Sequence, residues 1–306
     1  MSKINNIYKQ LKQIIKYGEI KENEPLKDYT SFKIGGPAKF VILPKTLEEF
    51  IKLVLFLQKN KINYYVLGNG TNILVSDLGY DGVIIKTTNY NEITRNNDVL
   101  EVNAGAGLQD VCVFAQNNSL QGLEEAAGIP GTVGGAVLMN AGAFLYTTEN
   151  VVLGVLAIVD SKIRYYLNDE CEFEYRNSIF SSIPNCIILR VDFILKPSNK
   201  EELLAKRNEI LKLRASKQPL NLPSAGSIFK KVDGYVISKI IDEEGLKGLN
   251  VNDAMVSKKH AGFIINNGNA TAKDVITLIN QIKQIIKNNR NIVLIEEIKY
   301  LGNFNY

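Results

Sequence analysis

The stretch LGNGTNILV, residues 67 to 75, ends one strand-like run (NYYVLG) and leads into another (ILVSD), with Gly68 and Gly70 between them. A dinucleotide-binding Rossmann unit needs G-x-G-x-x-G opening a helix, so that the pyrophosphate meets the helix N-terminus. Here the glycines open a β-rich segment, and a classical NAD-binding Rossmann half fits poorly. Two readings remain for the loop: backbone amides that cradle a phosphate, or a tight turn between strands.

The surrounding pattern is β, α, β, loop, β. Residues 3 to 17 repeat apolar positions at helical spacing, with Gly18 as a stop. AKFVILP reads as a strand, and TLEEFIKLVLFLQKN as an amphipathic helix with Thr46 and Glu49 at capping-box spacing. NYYVLG, ILVSD and GVIIKT are short strands. Residues 98 to 104 form another, followed by a helix, LQDVCVFAQNN, behind Gly107. From Val151 to Pro197 the pattern is β, with VVLGVLAIVD, KIRYYLN and CIILRVDFIL bounded by polar turns. Beyond Pro197 come a charged helix (KPSNKEELLAKRNEILKLRASK), a loop (PLNLPSAGSIFKK), a helix (YVISKIIDEEG) and a strand around AGFIIN. A long helix opened by Thr271 to Asp274 and a last strand, NIVLIEEIKYLG, complete the chain. The expected fold class is α+β in two parts, residues 1 to 198 and 199 to 306.

A second glycine-rich segment, GLEEAAGIPGTVGGAVLMNAG, spans residues 122 to 142 with six glycines and no basic residue, His or Cys. Glycine lets backbone N–H groups approach a ligand with no Cβ in the way. The segment reads either as such a loop running into a small-residue helix, or as a helix packed tightly on a sheet. Two loops of this kind in one half favour an elongated ligand, such as a dinucleotide with a pyrophosphate and a ring system to seat separately.

Composition removes other classes. Apolar residues make up 45% and charged residues 22% of the 306, ordinary globular values. The net charge of +4 comes without a basic cluster interleaved with aromatics, so nucleic acid is not an expected partner. VVLGVLAIV, the longest uncharged apolar run, is about half a membrane span, and the N-terminus lacks a signal-peptide h-region. A cytoplasmic protein with no membrane partner is expected. Cys112, Cys171 and Cys186 are odd in number and form no CxxC, and His260 is the single histidine. Neither a disulfide framework nor a metal site is expected. No GxSxG surrounds a serine, which disfavours a Ser/His triad.

Seven stretches together resemble the UDP-N-acetylenolpyruvoylglucosamine reductase family: YTSFKIGGPA (29–38), LGNGTNILVSD (67–77), GLEEAAGIPGTVGGAVLMNAGAF (122–144), YRNSIF (175–180), PSAGSIFKK (223–231), KHAGFIIN (259–266) and EEIKYLG (296–302). They occur in family order over nearly the whole chain. The resemblance implies an FAD-binding part of the vanillyl-alcohol-oxidase type, with α+β subdomains at about 1–88 and 89–198. A smaller α+β substrate-binding domain at 199–306 would follow, its last strand packing back on the N-terminal part. The length resembles the shorter subclass, which lacks an extra tyrosine-bearing loop. FAD would be noncovalent, with NADPH as hydride donor and a nucleotide sugar as substrate, in a monomer or weak oligomer. The alternatives are an FAD-dependent alcohol or sugar oxidase of the same fold superfamily that the resemblance implies, or a nucleotide-sugar-binding protein without redox activity.

By resemblance, Gly68, Asn69, Gly70, Thr71 and Asn72 wrap the FAD pyrophosphate. Gly128, Ile129, Pro130, Gly131, Thr132, Gly134, Gly135 and Asn140 form a second wall of the flavin site. Arg176 matches the active-site arginine, whose guanidinium fork suits the substrate carboxylate. Ser227 matches the serine that protonates the substrate carbon, with Lys217 and Lys230 as candidate supporting cations. Glu297 matches a C-terminal glutamate, with Glu296 its competitor one residue off; strand alternation would send the two to opposite faces. Tyr175, Arg214, Lys217 and Gln218 are candidate contacts to the nucleotide sugar or to NADPH phosphates. From the residues alone, Arg176 also reads as a surface strand residue paired with Glu174, Ser227 as a turn residue, and His260 as either a phosphate contact or a structural histidine.

Overall fold

The computed structural model describes residues 3–232 and 234–305. The chain forms two compact units that do not follow a single cut. One comprises 1–22, 40–69 and 82–212, and the other 23–39, 70–81 and 213–306.

The first unit holds a five-stranded antiparallel sheet in the order Lys162–Leu167, Val152–Val159, Ile187–Ile194, Val99–Asn103, Ile93–Asn96. Helix Leu108–Asn117 and the short helix Val133–Leu138 join it around one apolar core that includes Leu100, Val102, Val111, Val133, Val137, Val191 and Phe193. Small residues let the short helix sit close. A Cβ at Gly134 would lie 3.0 Å from Ala104 Cβ, and the Val133 and Gly134 amides donate to the carbonyls of Ala106 and Ala104.

A second core in this unit lies under helix Leu47–Lys59, where Phe50, Leu53, Val54 and Leu57 meet Phe40, Ile42, Val83 and Ile85. Thr46 caps this helix through the Glu49 amide, but the capping box expected from spacing is only half formed. The Glu49 carboxylate instead accepts from the backbone amides of Lys16 and Tyr17, both at 2.6 Å, and of Lys45 at 2.9 Å. It thereby ties the end of the N-terminal segment to the helix start. Burial pushes its pKa up, but these amide hydrogen bonds outweigh burial and hold it below the ordinary glutamate value. A depressed folded pKa contributes stability that is present above the unfolded glutamate value and is lost as pH falls through the folded one. Glu49→Gln is expected to cost about 1–3 kcal/mol at pH 7 and to flatten the acid limb of a urea-denaturation pH series; an unchanged acid limb would contradict this.

The second unit is built on a four-stranded antiparallel sheet in the order Ser224–Ser227, Phe263–Asn266, Ala254–Val256, Asn250–Val251. Helix Ala272–Arg290 buries Val275, Leu278, Ile279, Ile282 and Ile286 in a core shared with Phe32, Ile34, Leu74, Ile228 and Ile264. Thr271 and Asp274 form the expected capping box. The Asp77 carboxylate also accepts from the first-turn amides of Ala272 and Lys273, at 2.8 and 3.1 Å, which favours the helix N-terminus electrostatically.

Two stretches differ from expectation. PLNLPSAGSIFKK contains a strand, Ser224–Ser227, where a loop is expected. The expected strand NIVLIEEIKYLG is regular only over Lys299–Leu301, which pairs in parallel with Ile73–Val75. Both differences have one cause. These segments are short and pair with partners distant in sequence, so local periodicity carries little of the signal.

Candidate active site

In the first unit the two glycine loops meet. Gly68 lies against Thr132, where an added Cβ would fall 2.2 Å from the threonine Oγ1. Asn69 Nδ2 donates to the Pro130 carbonyl at 2.8 Å. The buried Lys86 ammonium donates to the Gly68 carbonyl from the adjoining strand. The cradle between the loops therefore depends on a missing side chain at Gly68, because Thr132 fills the space a Cβ would take.

The second wall works differently from a row of open amides. The Gly128 amide donates to Gln109 Oε1 at 2.8 Å, the Gly134 amide to Ala104, and the Gly135 amide to the capping Thr132 Oγ1 at 3.4 Å. Pro130 and Gly135 are exposed, and Ile129 and Gly131 are half-buried. Gly128, Gly134 and Gly135 thus supply surface and close approach rather than donors.

Asn140, placed by resemblance in the flavin wall, is 3% exposed and has φ +39°. Its side chain donates to Glu149 Oε2 at 2.9 Å and to the Glu174 carbonyl at 3.1 Å, and it accepts from the Glu149 amide at 3.1 Å. It thereby anchors the turn that carries Arg176. That turn, closed by paired backbone bonds between Glu174 and Asn177, corrects the reading of Arg176 as a strand residue. Arg176 adopts φ +55°, unusual for a residue with a side chain. Its Nη2 donates to the Gly142 carbonyl at 2.9 Å, and its guanidinium lies 5.1 Å from the Tyr175 ring centroid. The Tyr175 ring is 47% exposed. Strain at such a position is held by its surroundings and is common where a side chain must be aimed.

In the second unit the segments that carry Ser227 and Glu297 are joined through the backbone. The Glu297 amide donates to the Ile228 carbonyl at 2.7 Å, and Phe229 bridges Glu296. Asn72 Nδ2, at the end of the first glycine loop, donates to the Glu297 carbonyl at 3.3 Å. Ser227 follows a bulge in which Gly226 has φ +77° and open space where a Cβ would stand. A Gly-based bulge re-aims the next side chain, and Ser227 is exposed. The two glutamates are distinguished by partner rather than by face: Glu296 Oε1 pairs with Lys283 at 2.8 Å, while both are half-buried. Over 291–295 exposed and buried residues alternate, as expected of an extended segment, although only an isolated bridge, Phe229 to Glu296, forms there.

Gly70 is buried, and its carbonyl accepts from Ser31. Of the remaining candidates, Lys217 is exposed at the last turn of helix Lys200–Lys217, and Gln218 and Thr71 are half-buried. The Lys230 amide donates to the Ile295 carbonyl. Arg214 is only 8% exposed and its Nε has no hydrogen-bond partner; burial lowers its pKa. A buried, incompletely paired guanidinium is costly unless an anion meets it. Among the described residues, no group of three or more His, Cys, Asp or Glu is placed to hold a metal ion, and no helix is long and apolar enough to cross a membrane. Sequence reasoning missed the anchoring by Asn140 and Glu149, the Thr132 contact beneath Gly68, and the bulge at Gly226; only the glycine preceding Ser227 was a signal for any of these.

A family model described as an FAD binding domain matches residues 38–161. With the glycine cradle in the same span, the chain is a flavoprotein of α+β class. A second family model, the C-terminal domain of UDP-N-acetylenolpyruvoylglucosamine reductase, matches residues 218–301. A UDP-N-acetylenolpyruvoylglucosamine reductase of Caldanaerobacter subterraneus subsp. tengcongensis is 42% identical over 294 residues, covering 96% of this chain and 97% of the relative. That of Carboxydothermus hydrogenoformans is 43% identical over 284 residues, covering 92% and 93%. The crystal structure of the Thermus caldophilus reductase matches with a TM-score of 0.79 and 35% identity, over 93% of this chain and 99% of that one. The chain belongs to the UDP-N-acetylenolpyruvoylglucosamine reductase family.

Proposed function

We infer that the protein is an FAD-dependent reductase that uses NADPH to convert the enolpyruvyl ether of UDP-N-acetylglucosamine to UDP-N-acetylmuramate, a peptidoglycan precursor. The observation that carries the reading is the backbone hydrogen bond by which the Glu297 segment is held to Ile228, the residue after Ser227. Gly68 and Thr132 would help to hold FAD, which when bound would supply the two-electron chemistry between NADPH and the substrate. Net, a hydride equivalent and a proton add across the enol ether double bond.

The chain's own groups have three tasks. Arg176 offers a permanently charged fork to the substrate carboxylate, on which negative charge grows as the double bond is reduced. Ser227 Oγ holds the proton for the neighbouring carbon; the open space over Gly226 leaves room for that carbon to approach. A hydroxyl is a weak acid, so delivery depends on the charge developing on substrate and on positioning. Glu297 orients the substrate or, if protonated, stabilises the enol form. The buried Arg214 guanidinium, with Tyr175, Lys217 and Gln218, is assigned to phosphate or sugar contacts. On this reading 1–198 mainly carry the cofactor and 199–306 the substrate. The reaction is placed in the cytoplasm, because nucleotide sugars and NADPH are anions that do not cross membranes unaided.

The test is anaerobic. NADPH is expected to bleach the bound flavin, and addition of the enolpyruvyl nucleotide sugar to restore its absorbance stoichiometrically. Protein that binds no FAD would point to a non-redox nucleotide-sugar binder. Reoxidation by oxygen with alcohols as reductants, but not by the enolpyruvyl sugar, would point to an oxidase.

A further inference from the structure

We propose that His260 is a positioning residue for the protonation step: its neutral Nδ1 holds the Gly262 amide, and the Gly262 carbonyl in turn registers the strand that carries Ser227 and, one bond further, Glu297. The proposal rests on the role of Ser227 given above.

The links lie within one unit and are all hydrogen bonds. Gly262 N–H donates to His260 Nδ1 at 3.1 Å. The Ile228 amide donates to the Gly262 carbonyl at 2.9 Å, and the Glu297 amide to the Ile228 carbonyl at 2.7 Å. Ser227 stands opposite Phe263 in the same register. The imidazole is clamped rather than mobile. Its ring meets Phe263 edge-on at 5.0 Å, the His260 amide donates to Ser257 Oγ at 3.3 Å, and a Cβ at residue 262 would lie 3.0 Å from His260 Cε1. Glycine at 262 thus lets the ring pack closely beneath it. Because Gly226 leaves the strand bulged just before Ser227, the register there is not secured by an uninterrupted ladder, and the bond from Ile228 to Gly262 is what restores it.

An acceptor at Nδ1 requires the imidazole to be neutral; protonation would set N–H against N–H. Burial favours the neutral form and pushes the His260 pKa below its ordinary value, with Lys247 repelling the cation further. Lys247, which acts on it electrostatically, follows helix Ile237–Glu243 with its Asp242, Lys239 and Glu243, and Lys258 and Lys259 precede His260 in sequence. Lys247 pairs with Asp242 at 2.5 Å, Lys239 with Glu243 at 3.7 Å, and Lys259 Nζ donates to the Ala215 carbonyl. A histidine whose folded pKa is lowered contributes stability that is present above about pH 6.5 and lost as pH falls through the folded value.

The experiment compares full-length His260→Asn, His260→Gln and His260→Leu by stopped-flow, with Ser227→Ala in parallel. Asparagine puts a carbonyl oxygen where Nδ1 stood, while glutamine puts its polar end where Nε2 stood. His260→Asn is expected to reoxidise within a few-fold of wild type, and the Gln and Leu variants about tenfold or more slowly, all with wild-type flavin reduction by NADPH. The wild-type reoxidation rate is expected to fall as pH drops through the lowered folded-state pKa of His260, and this fall to be weakened in His260→Asn. Should the Leu variant not fold, the Asn–Gln pair carries the comparison. Gln and Leu variants as fast as wild type beside a slow Ser227→Ala, or an Asn variant as slow as Leu, would overturn the proposal alone. A Ser227→Ala variant reoxidising at the wild-type rate would remove the reading it rests on, and this proposal with it.

Discussion

Ser227→Ala is expected to leave reduction of the bound flavin by NADPH unchanged and to slow its reoxidation by the enolpyruvyl nucleotide sugar by about 10²–10⁴-fold, the usual worth of a positioned general acid. The split follows from where Ser227 sits. It is exposed on a bulged strand beside Glu297 and donates no bond described in the core, so removing one oxygen costs little stability. The affected step is the one that needs a proton at carbon, and hydride arrival from NADPH is not that step. Single-turnover traces at matched flavin occupancy read the two halves separately. Equal rates in both halves for variant and wild type would assign the proton to another donor.

Arg176→Met is expected to lower the reoxidation rate by about 10²–10³-fold, the cost of removing one preorganised electrostatic contact to developing negative charge, and to weaken substrate binding. Arg176→Lys is expected to fall between, since it keeps the charge and loses the fork. The fold should survive both changes. Arg176 is half-buried, its turn is closed by backbone bonds between Glu174 and Asn177, and Asn140 anchors that turn independently. Substrate-saturation curves for the oxidative half-reaction, with thermal midpoints as control, give the measurement. A variant within twofold of wild type on both rate and saturation would show that the carboxylate is met by another cation.

Much of the fold could be read from periodicity. The helices behind Thr46, Gly107 and Thr271 start where their caps and apolar stripes place them, because capping and amphipathicity are local. The three strands between Val152 and Ile194 were equally legible from their apolar runs and polar turns. The elements that misled are the ones nearest the chemistry. Ser224–Ser227 looked like a turn because it carries small residues and a glycine; it is a strand because Phe263–Asn266 pairs with it. Residues 292–298 looked like a strand but make only isolated pairings, one of which seats Glu297 beside Ile228.

The same division holds for the candidate site. The class of chemistry came from the resemblance carried by seven motifs in family order; composition and spacing alone left Arg176 a surface residue, Ser227 a turn residue and the glycine loops open between ligand binding and packing. The motifs and their order are properties that the linear chain displays. What it does not display is which backbone groups are already spent. Only folding shows that the Gly128 and Gly134 amides donate inside the protein, that Glu49 serves the backbone at residues 16, 17 and 45 rather than its own helix cap, and that Asn140 holds the Arg176 turn. Each of these bonds joins residues brought together by packing of the whole unit, and hydrogen-bond partners separated by many residues leave no periodic trace in a sequence.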